Sequence, residues 1–221
     1  MRINADFSKR VVVRPSDYNW VHSPAGGVDR MMLDRIGDEV ARATTLVRFA
    51  PNSYFDAHRH DGGEEYLVLD GIFSDESGDY PAGSYVRNPI GTALKPHTAG
   101  GCTILVKLHQ FEAEDQDQKV IDTATVAFRP GQIEGLSVLP LHDQRQEHVS
   151  LVRWAPGTQL GRHAHWGGEE VYVIEGVFQD EYGDYPAGSW IRSPHLSEHR
   201  SQSDEGCLIY VKTGHLLPVA A

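Results

Sequence analysis

Short apolar runs separated by glycine and proline dominate the pattern of hydrophobic and polar positions, and a helical period is nearly absent. Valine, isoleucine, leucine, threonine and aromatic residues fill segments of four or five residues, which is typical of β-strands. Such segments occur at 45–49, 66–69, 84–87, 103–107, 150–154, 171–174, 189–192 and 208–212. Many short strands at this spacing predict an all-β sandwich or barrel.

The turns between these segments are marked by their residue types. Segments 75–83 and 180–188 both carry glycine, an Asp-Tyr-Pro triplet and an Ala-Gly pair. Glycine and proline supply the backbone conformations in which a chain reverses direction. We therefore expect both segments to form hairpins between antiparallel strands.

The strand pattern of the first half of the chain recurs 105 positions later. About 30 of the 65 positions from 46 to 110 are identical to their equivalents in the second half, and weaker similarity relates 120–146 to 15–41. A repeat of this length predicts two domains of one fold. We place them at 1–112 and 113–221, and we expect the acidic segment 112–119 to be a solvated linker because it has no hydrophobic period.

Composition and charge narrow the class of protein. The chain of 221 residues has a net charge of −11 and no cluster of Lys and Arg, which argues against a nucleic-acid partner. The first residues lack the apolar stretch of a signal peptide, and no run reaches transmembrane length. Cys102 and Cys207 occupy equivalent positions, and we expect both to be buried free thiols in a reducing cytoplasm.

Each repeat contains a His-x-His pair followed by Gly-Gly-Glu-Glu. The first pair is His58 and His60, and the second is His163 and His165. Residues two apart on a β-strand point to the same face, so both imidazoles of a pair can reach one point. A Gly-Gly turn then returns the chain and brings a carboxylate back. The spacing predicts a metal site in each repeat.

The same string resembles the first motif of the cupin superfamily, G-x5-H-x-H-x3-E-x6-G. The positions that fit its spacing are His58, His60, Glu64 and Gly71 in the first repeat, and Gly157, His163, His165, Glu169 and Gly176 in the second. The first glycine of the motif is Asn52 in the first repeat. The longer pattern of Asp-Glu-x-Gly-x-Tyr-Pro-Ala-Gly-Ser, Arg-x-Pro and Gly-Cys resembles the ChrR cupin-like branch. The resemblance implies two tandem double-stranded β-helix (jelly-roll) barrels, a bicupin.

The family ligands carry over fully to the second repeat. His163, His165 and Glu169 match the motif, and His199 follows Pro194 where the branch has its last histidine. The resemblance therefore implies a divalent metal held by three imidazoles and one carboxylate, with open positions on an octahedral ion. Zinc is the metal that the family favours, with iron and manganese as alternatives. Glu170 is the rival carboxylate.

The first repeat departs from the family at one ligand. Leu94 stands where the second repeat has His199, and His97 is the nearest later histidine. Three outcomes are open for this site. His97 could replace the missing ligand, the other three could form a two-histidine, one-carboxylate triad, or the site could be empty.

The resemblance implies a regulatory function, because the branch is named for an anti-sigma factor that responds to oxidative stress. This chain has a second cupin where that protein has a helical zinc-binding domain, so regulation would need a separate protein partner. A metal-dependent (iron or manganese) dioxygenase for a β-diketone or related enol is the main alternative, with Glu65, Glu170 and Tyr172 as candidate acid–base residues. A non-catalytic barrel that binds a small molecule is the third. Cupins of this kind are often homodimers.

Overall fold

The computed structural model describes residues 1–24, 26–56 and 58–217, without the side chain of His58. Strands and turns make up these residues, and their one helical segment is a 3₁₀ turn at Pro15–Asp17. The all-β prediction is confirmed. Within the described residues, no helix is long and apolar enough to cross a lipid bilayer.

The strands of the first half and its N-terminal arm are β1 (Arg2–Ile3), β2 (Val11–Val13), β3 (Val21–His22), β4 (Val28–Gly37), β5 (Ala41–Phe49), β6 (Ser53–Tyr54), β7 (His58–Arg59), β8 (Glu64–Asp75), β9 (Gly78–Pro81), β10 (Ser84–Asn88), β11 (Ala93–Leu94), β12 (His97–Thr98) and β13 (Cys102–Leu108). Those of the second half are β14 (Lys119–Asp122), β15 (Arg129–Pro130), β16 (Leu136–Gln144), β17 (Glu147–Trp154), β18 (Thr158–Ala164), β19 (Glu169–Asp180), β20 (Gly183–Pro186), β21 (Trp190–Ser193), β22 (Glu198–Ser203) and β23 (Cys207–Thr213).

The two repeats form antiparallel sheets of matching topology. The first runs in the order β1-β4-β5-β13-β8-β10-β14, and the second in the order β15-β16-β17-β23-β19-β21-β2. Both predicted hairpins form, since β9 pairs with β8 and β20 pairs with β19. Of the other strands, β12 pairs with β6 and β8, and β22 pairs with β18 and β19. Strand β11 pairs with β7, and β3 pairs with β4. Each repeat is a jelly-roll barrel, as predicted.

Each barrel has its own apolar core on the inner face of its sheet. In the first barrel, Phe49, Tyr66 and Phe73 pack with aliphatic side chains of β8 and β13. In the second, Trp154 and Phe178 lie at the equivalent places. Side chains of a strand alternate between two faces, so alternate residues of each central strand face this core.

One edge strand of each sheet comes from the arm that precedes the other repeat. Strand β2 pairs with β21 of the second sheet, and β14 pairs with β10 of the first. The compact units are therefore Met1–Ala5 with Asn19–Val126, and Asp6–Tyr18 with Ala127–Ala221. They differ from the predicted contiguous division into 1–112 and 113–221 in the assignment of the arms. Backbone pairing at a sheet edge caused the difference, and no local pattern marks it.

The prediction of a solvated linker at 112–119 was wrong for its central residue. Asp115 is 3% exposed and accepts a hydrogen bond from Arg87, which is itself 1% exposed. Arg87 also donates to Glu65 and stacks on the ring of Phe111. Asp115 of this acidic segment therefore compensates the charge of Arg87, because a buried arginine requires carboxylate partners.

Candidate metal centre

Four of the predicted ligands come together in the second barrel. The ligand atoms of His163, His165, Glu169 and His199 all lie within 4.8 Å of one another. His163 and His199 face each other in the register of β18 and β22. Glu169 is the first residue of β19, and His165 directly follows β18. The predicted strand geometry and the predicted turn thus converge on one point.

The Gly-Gly turn between His165 and Glu169 accounts for this convergence. Gly167 and Gly168 have φ angles of 75° and 74°, in the left-handed region that favours glycine. A Cβ on Gly167 would lie 2.5 Å from the Cα of Gly214, and a Cβ on Gly168 would lie 2.9 Å from Leu216. The turn is therefore pressed against the segment that follows β23, and only glycine fits there.

The distances within the cluster are short, and the cluster is largely buried. Nε2 of His199 lies 3.1 Å from Nε2 of His163 and 3.6 Å from Oε2 of Glu169. Nε2 of His165 lies 3.5 Å from the same carboxylate oxygen. His165, Glu169 and His199 are buried, whereas His163 is partly exposed. Solvent therefore reaches the centre from the side of His163.

A divalent metal fits the donor set. Nε2 of His165 is buried and has no hydrogen-bond partner among the described residues. Burial and the neighbouring imidazoles lower the pKa of His165 to about 3, and burial lowers the pKa of His163. Both imidazoles are therefore neutral at physiological pH, the form that coordinates a metal. A buried nitrogen lone pair that faces two more imidazoles and a carboxylate has the chemistry of a metal ligand.

Contacts behind the ligands fix the orientation of their rings. Nδ1 of His163 lies 2.8 Å from the carbonyl oxygen of Gly161, and Nδ1 of His199 lies 3.5 Å from Oδ2 of Asp180. These contacts leave Nε2 of both rings aimed at the centre. Burial opposes protonation of His199, but the contact with Asp180 and the charge of Glu169 raise the pKa of His199 overall.

Asp180 is held in turn by a residue of the N-terminal arm. Nη2 of Arg10 donates to Oδ2 of Asp180 at 2.7 Å, and the hydroxyl of Tyr185 donates to Oδ1 at 2.7 Å. Burial acts in the opposite direction, but the contact with His199, the hydrogen bond from Tyr185 and the charge of Arg10 lower the pKa of Asp180 overall and keep it ionised. The sequence analysis missed both Arg10 and Asp180. Asp180 was visible only as a turn residue, and Arg10 is 170 positions away from it.

Glu170, the rival carboxylate, lies outside the cluster. It is 1% exposed, and its Oε2 is 3.3 Å from Nε2 of His215. Successive residues of β19 point to opposite faces, so Glu169 and Glu170 cannot both reach the centre. The structure thus places Glu169, the carboxylate that the motif spacing favoured, beside the three histidines.

The acid–base candidates are bonded elsewhere. Glu65 accepts a hydrogen bond from Arg87, and Glu170 contacts His215. The Tyr172 hydroxyl is hydrogen-bonded to Tyr18, and burial raises the pKa of Tyr172. Each of these three side chains therefore has a partner outside the four clustered ligands.

The first barrel brings together only part of the predicted set. Oε2 of Glu64 lies 3.5 Å from Nε2 of His60 and accepts a hydrogen bond from Asn88 at 3.2 Å. Leu94 pairs with His58 in the register of β11 and β7, as His199 pairs with His163. The side chain of His58 lies outside the described residues.

The structure does not bring His97 to this site. His97 is exposed, and its Nδ1 lies 3.4 Å from the carbonyl oxygen of Lys95. Its neighbour Thr98 is the residue of β12 that points inward, with its hydroxyl on the carbonyl of Ile72. Strand parity therefore turns His97 outward, and the alternative in which it replaces Leu94 as a ligand is not supported.

Comparison with protein families identifies the chain. The ChrR cupin-like domain family matches residues 8–112 and again 116–217, which together span most of the sequence. The chain therefore belongs to the ChrR cupin-like family and is a bicupin. Comparison with curated proteins gives no match.

Solved structures share the fold over nearly the whole chain. A candidate dioxygenase from Nostoc punctiforme has a TM-score of 0.78 at 14% identity, covering 96% of this chain and 85% of that one. A candidate glyoxylate-induced protein from Pseudomonas aeruginosa has a TM-score of 0.77 at 16% identity, covering 96% and 91%. A variant of Bacillus subtilis oxalate decarboxylase has a TM-score of 0.60 at 15% identity, covering 92% and 76%. At these identities the likeness shows the fold alone.

Proposed function

We propose that the protein is a metal-dependent sensor in oxidative-stress regulation, in which the second barrel holds one divalent metal ion. The observation that carries the proposal is the cluster of His163, His165, Glu169 and His199, with the unpartnered Nε2 of His165 at its centre. These four residues would bind the metal ion in solution.

The four residues differ in burial and in the contacts that orient them. His165 and Glu169 lie in the buried part of the cluster, His199 is oriented by Asp180, and His163 borders the solvent. When bound, the metal supplies Lewis-acid positions on which a small oxidant or other small ligand can exchange with water. Zinc is the metal proposed for a sensor, since it is not itself redox-active.

The three candidate acid–base side chains each interact with a residue outside the metal cluster, which supports a sensor over an enzyme that depends on proton transfer. Glu65, Glu170 and Tyr172 are each bonded to other residues, as described above. A regulator also needs a protein partner. Cys102 and Cys207 are buried, so the proposed partner would contact other residues on the barrel surface. We propose that the protein acts in the cytoplasm and that it forms a homodimer.

A metal-dependent dioxygenase is the second candidate. The partly exposed His163 and a donor set that leaves positions open on an octahedral ion favour it. The fold that the chain shares with the candidate dioxygenase from Nostoc punctiforme is compatible with this activity. In this case the metal would be iron or manganese, and the substrate would be a β-diketone or another small enolisable molecule.

Metal content of protein purified without added metal separates these functions. We would compare the wild type with His199→Ala, using His148→Ala as the matched control, because His148 is an exposed histidine that pairs with Asp143 and lies outside the cluster. We expect about one metal per chain in the wild type and in His148→Ala, and loss of the metal in His199→Ala.

The identity of the metal and O2 uptake then decide between the candidates. Zinc without O2 uptake in the presence of a β-diketone supports the sensor. Iron or manganese with O2 uptake that His199→Ala abolishes supports the dioxygenase. A wild-type protein that binds none of these metals, even when they are supplied in excess, contradicts both.

A further inference from the structure

Strand β22 carries a second buried polar side chain beside the ligand His199. Ser201 is 3% exposed, and its Oγ lies 3.0 Å from Nε2 of His199, the nitrogen that faces the metal centre. Residues two apart on a strand share a face, which explains why this hydroxyl lies next to the ring. Among the residues that the structure describes, Nε2 of His199 is the one hydrogen-bond partner of the Ser201 hydroxyl.

This hydrogen bond and a metal ion compete for the same lone pair. A neutral imidazole has one acceptor nitrogen, and Nδ1 of His199 faces the carboxylate of Asp180, so the acceptor is Nε2. When Nε2 coordinates a metal, its lone pair is no longer free for the hydroxyl of Ser201. A buried donor without an acceptor is costly, so this hydroxyl then requires another acceptor at the centre.

The comparison of the two repeats links the Ser201 hydroxyl to the metal site. Alternate residues of β22 have these equivalents 105 positions earlier: His199 and Leu94, Ser201 and Pro96, Ser203 and Thr98.

The hydroxyl of the last pair is structural in both barrels. Ser203 donates to the carbonyl of Val177 at 2.6 Å, and Thr98 donates to the carbonyl of Ile72 at 2.7 Å. The hydroxyl of Ser201 has no counterpart, because proline has none, and it occurs in the barrel that also has the third imidazole. This difference favours a function at the metal centre over a structural one.

The charge of the loaded centre favours an anion as the acceptor. Imidazoles bind metals in their neutral form, so one carboxylate leaves a divalent ion with a net charge of about +1. Behind His199, the charge of Asp180 is paired with that of Arg10. The ring of Phe178, a residue of the apolar core, lies 6.3 Å from that of His199. A hydrogen bond to a charged acceptor is strong in such surroundings.

We propose that the hydroxyl of Ser201 binds a small anion at the metal centre, by donating a hydrogen bond to the atom through which the anion coordinates the metal. Ser201 is then a ligand-binding residue and does not hold the metal itself. The inference rests on the proposed function, because it requires a metal ion in the second barrel.

The first experiment loads the protein with cobalt(II), whose visible absorption reports its ligands, and titrates it with azide. We expect about one cobalt per chain in the wild type, Ser201→Ala and Ser203→Ala. Ser201→Ala should weaken azide binding about tenfold, the change that the loss of about 1.4 kcal/mol in a hydrogen bond to a charged group produces. Ser203→Ala is the matched control on the same face of β22, and its azide affinity should equal that of the wild type.

The second experiment compares Ser201→Thr with Ser201→Val, and it covers the case in which Ser201→Ala fails to fold. The two side chains have nearly the same shape, and threonine alone has a hydroxyl. Both variants should bind about one cobalt per chain. Ser201→Thr should bind azide about tenfold more tightly than Ser201→Val does.

Three results would overturn the inference and leave the metal site of the proposed function intact. They are cobalt-loaded wild type that does not bind azide, equal azide affinities with and without the hydroxyl, and loss of cobalt from Ser201→Ala or Ser201→Val. The third result would make Ser201 part of the metal-holding set. A wild-type protein that binds no cobalt, zinc, iron or manganese would overturn both the inference and the proposed function.

Discussion

Single residues behind the ligands decide how well the metal centre is organised. Asp180 contacts Nδ1 of His199 and is held by Arg10 and Tyr185. The first barrel has the same carboxylate at Asp75, which accepts a hydrogen bond from Tyr80 at 3.1 Å. The motif therefore builds the supporting carboxylate in both barrels, although the first has no histidine for it to orient.

We expect Asp180→Asn to lower metal affinity about 10- to 100-fold, the range typical when a residue that orients a metal ligand is lost. The physical reason is that an amide holds the imidazole of His199 less firmly and no longer stabilises positive charge on it. Competition with a chromophoric chelator measures the affinity. Asp75→Asn is the control and should leave it unchanged. Equal affinities of Asp180→Asn and the wild type would show that His199 does not depend on this contact.

The two thiols are predicted to be unreactive in the folded protein. Cys102 and Cys207 are free and buried, and burial raises the pKa of each to about 11. At pH 8 both are therefore protonated, and the thiol form is a poor nucleophile. We expect negligible reaction with dithionitrobenzoate in buffer and reaction of both thiols in denaturant. Ser77→Cys, in an exposed turn, should add one fast-reacting thiol. Fast reaction of the wild-type protein would contradict the buried placement.

At the scale of elements, the exchanged arms join each barrel to a segment that lies far away in the sequence. Strand β2 forms an edge strand of the second barrel, and Arg10, which directly precedes β2, contacts Asp180 of the same barrel. Strand β14 follows Asp115, which pairs with the buried Arg87 of the first barrel. Each arm thus completes a sheet edge and also neutralises or positions a charged residue inside the unit.

Asp115→Ala is expected to destabilise the protein by about 3 kcal/mol, because removal of one partner leaves a buried charge poorly compensated. The value lies at the lower end of the usual range since Glu65 still contacts Arg87. Urea unfolding, followed by circular dichroism, measures the change. Asp117→Ala is the matched control in the same segment. Its side chain is 53% exposed in its ion pair with Lys119, so a change below about 0.5 kcal/mol is expected. Similar effects of the two substitutions would show that the segment is solvated after all.

At the scale of the whole molecule, the chain is a duplication whose two halves have diverged in their interiors. The second barrel keeps the complete cluster of three histidines and a glutamate. The first keeps His60 and Glu64 and loses the imidazole at Leu94. Duplication allows one copy to retain a metal site while the other changes.

Leu94→His should restore a metal site in the first barrel and raise the metal content from about one to about two per chain. The register places residue 94 opposite His58, as His199 lies opposite His163, so the new imidazole points to the same place. Metal analysis after loading and dialysis measures the content. Ala93→His is the control, since adjacent strand residues point to opposite faces. Equal metal content in the two variants would mean that the first barrel cannot assemble the site.

Much of the fold and of the candidate site could be predicted from local pattern. The strands, the hairpins at 75–83 and 180–188, and the ligand string of the second repeat follow from residue types at fixed spacing. The outward turn of His97 was missed because Lys95 and Pro96 separate it from Leu94, and the parity of the short strand β12 is set by its pairing with β6.

By itself, the sequence determined that the chain is a duplicated all-β protein and which residues could bind a metal, since repeat and motif are relations at fixed sequence distance. Only the tertiary structure decided that the arms are exchanged, that Arg10 contacts Asp180, and that Asp115 is buried beside Arg87. Those features arise from sheet-edge pairing and side-chain packing between residues as much as 170 positions apart, which no local pattern encodes.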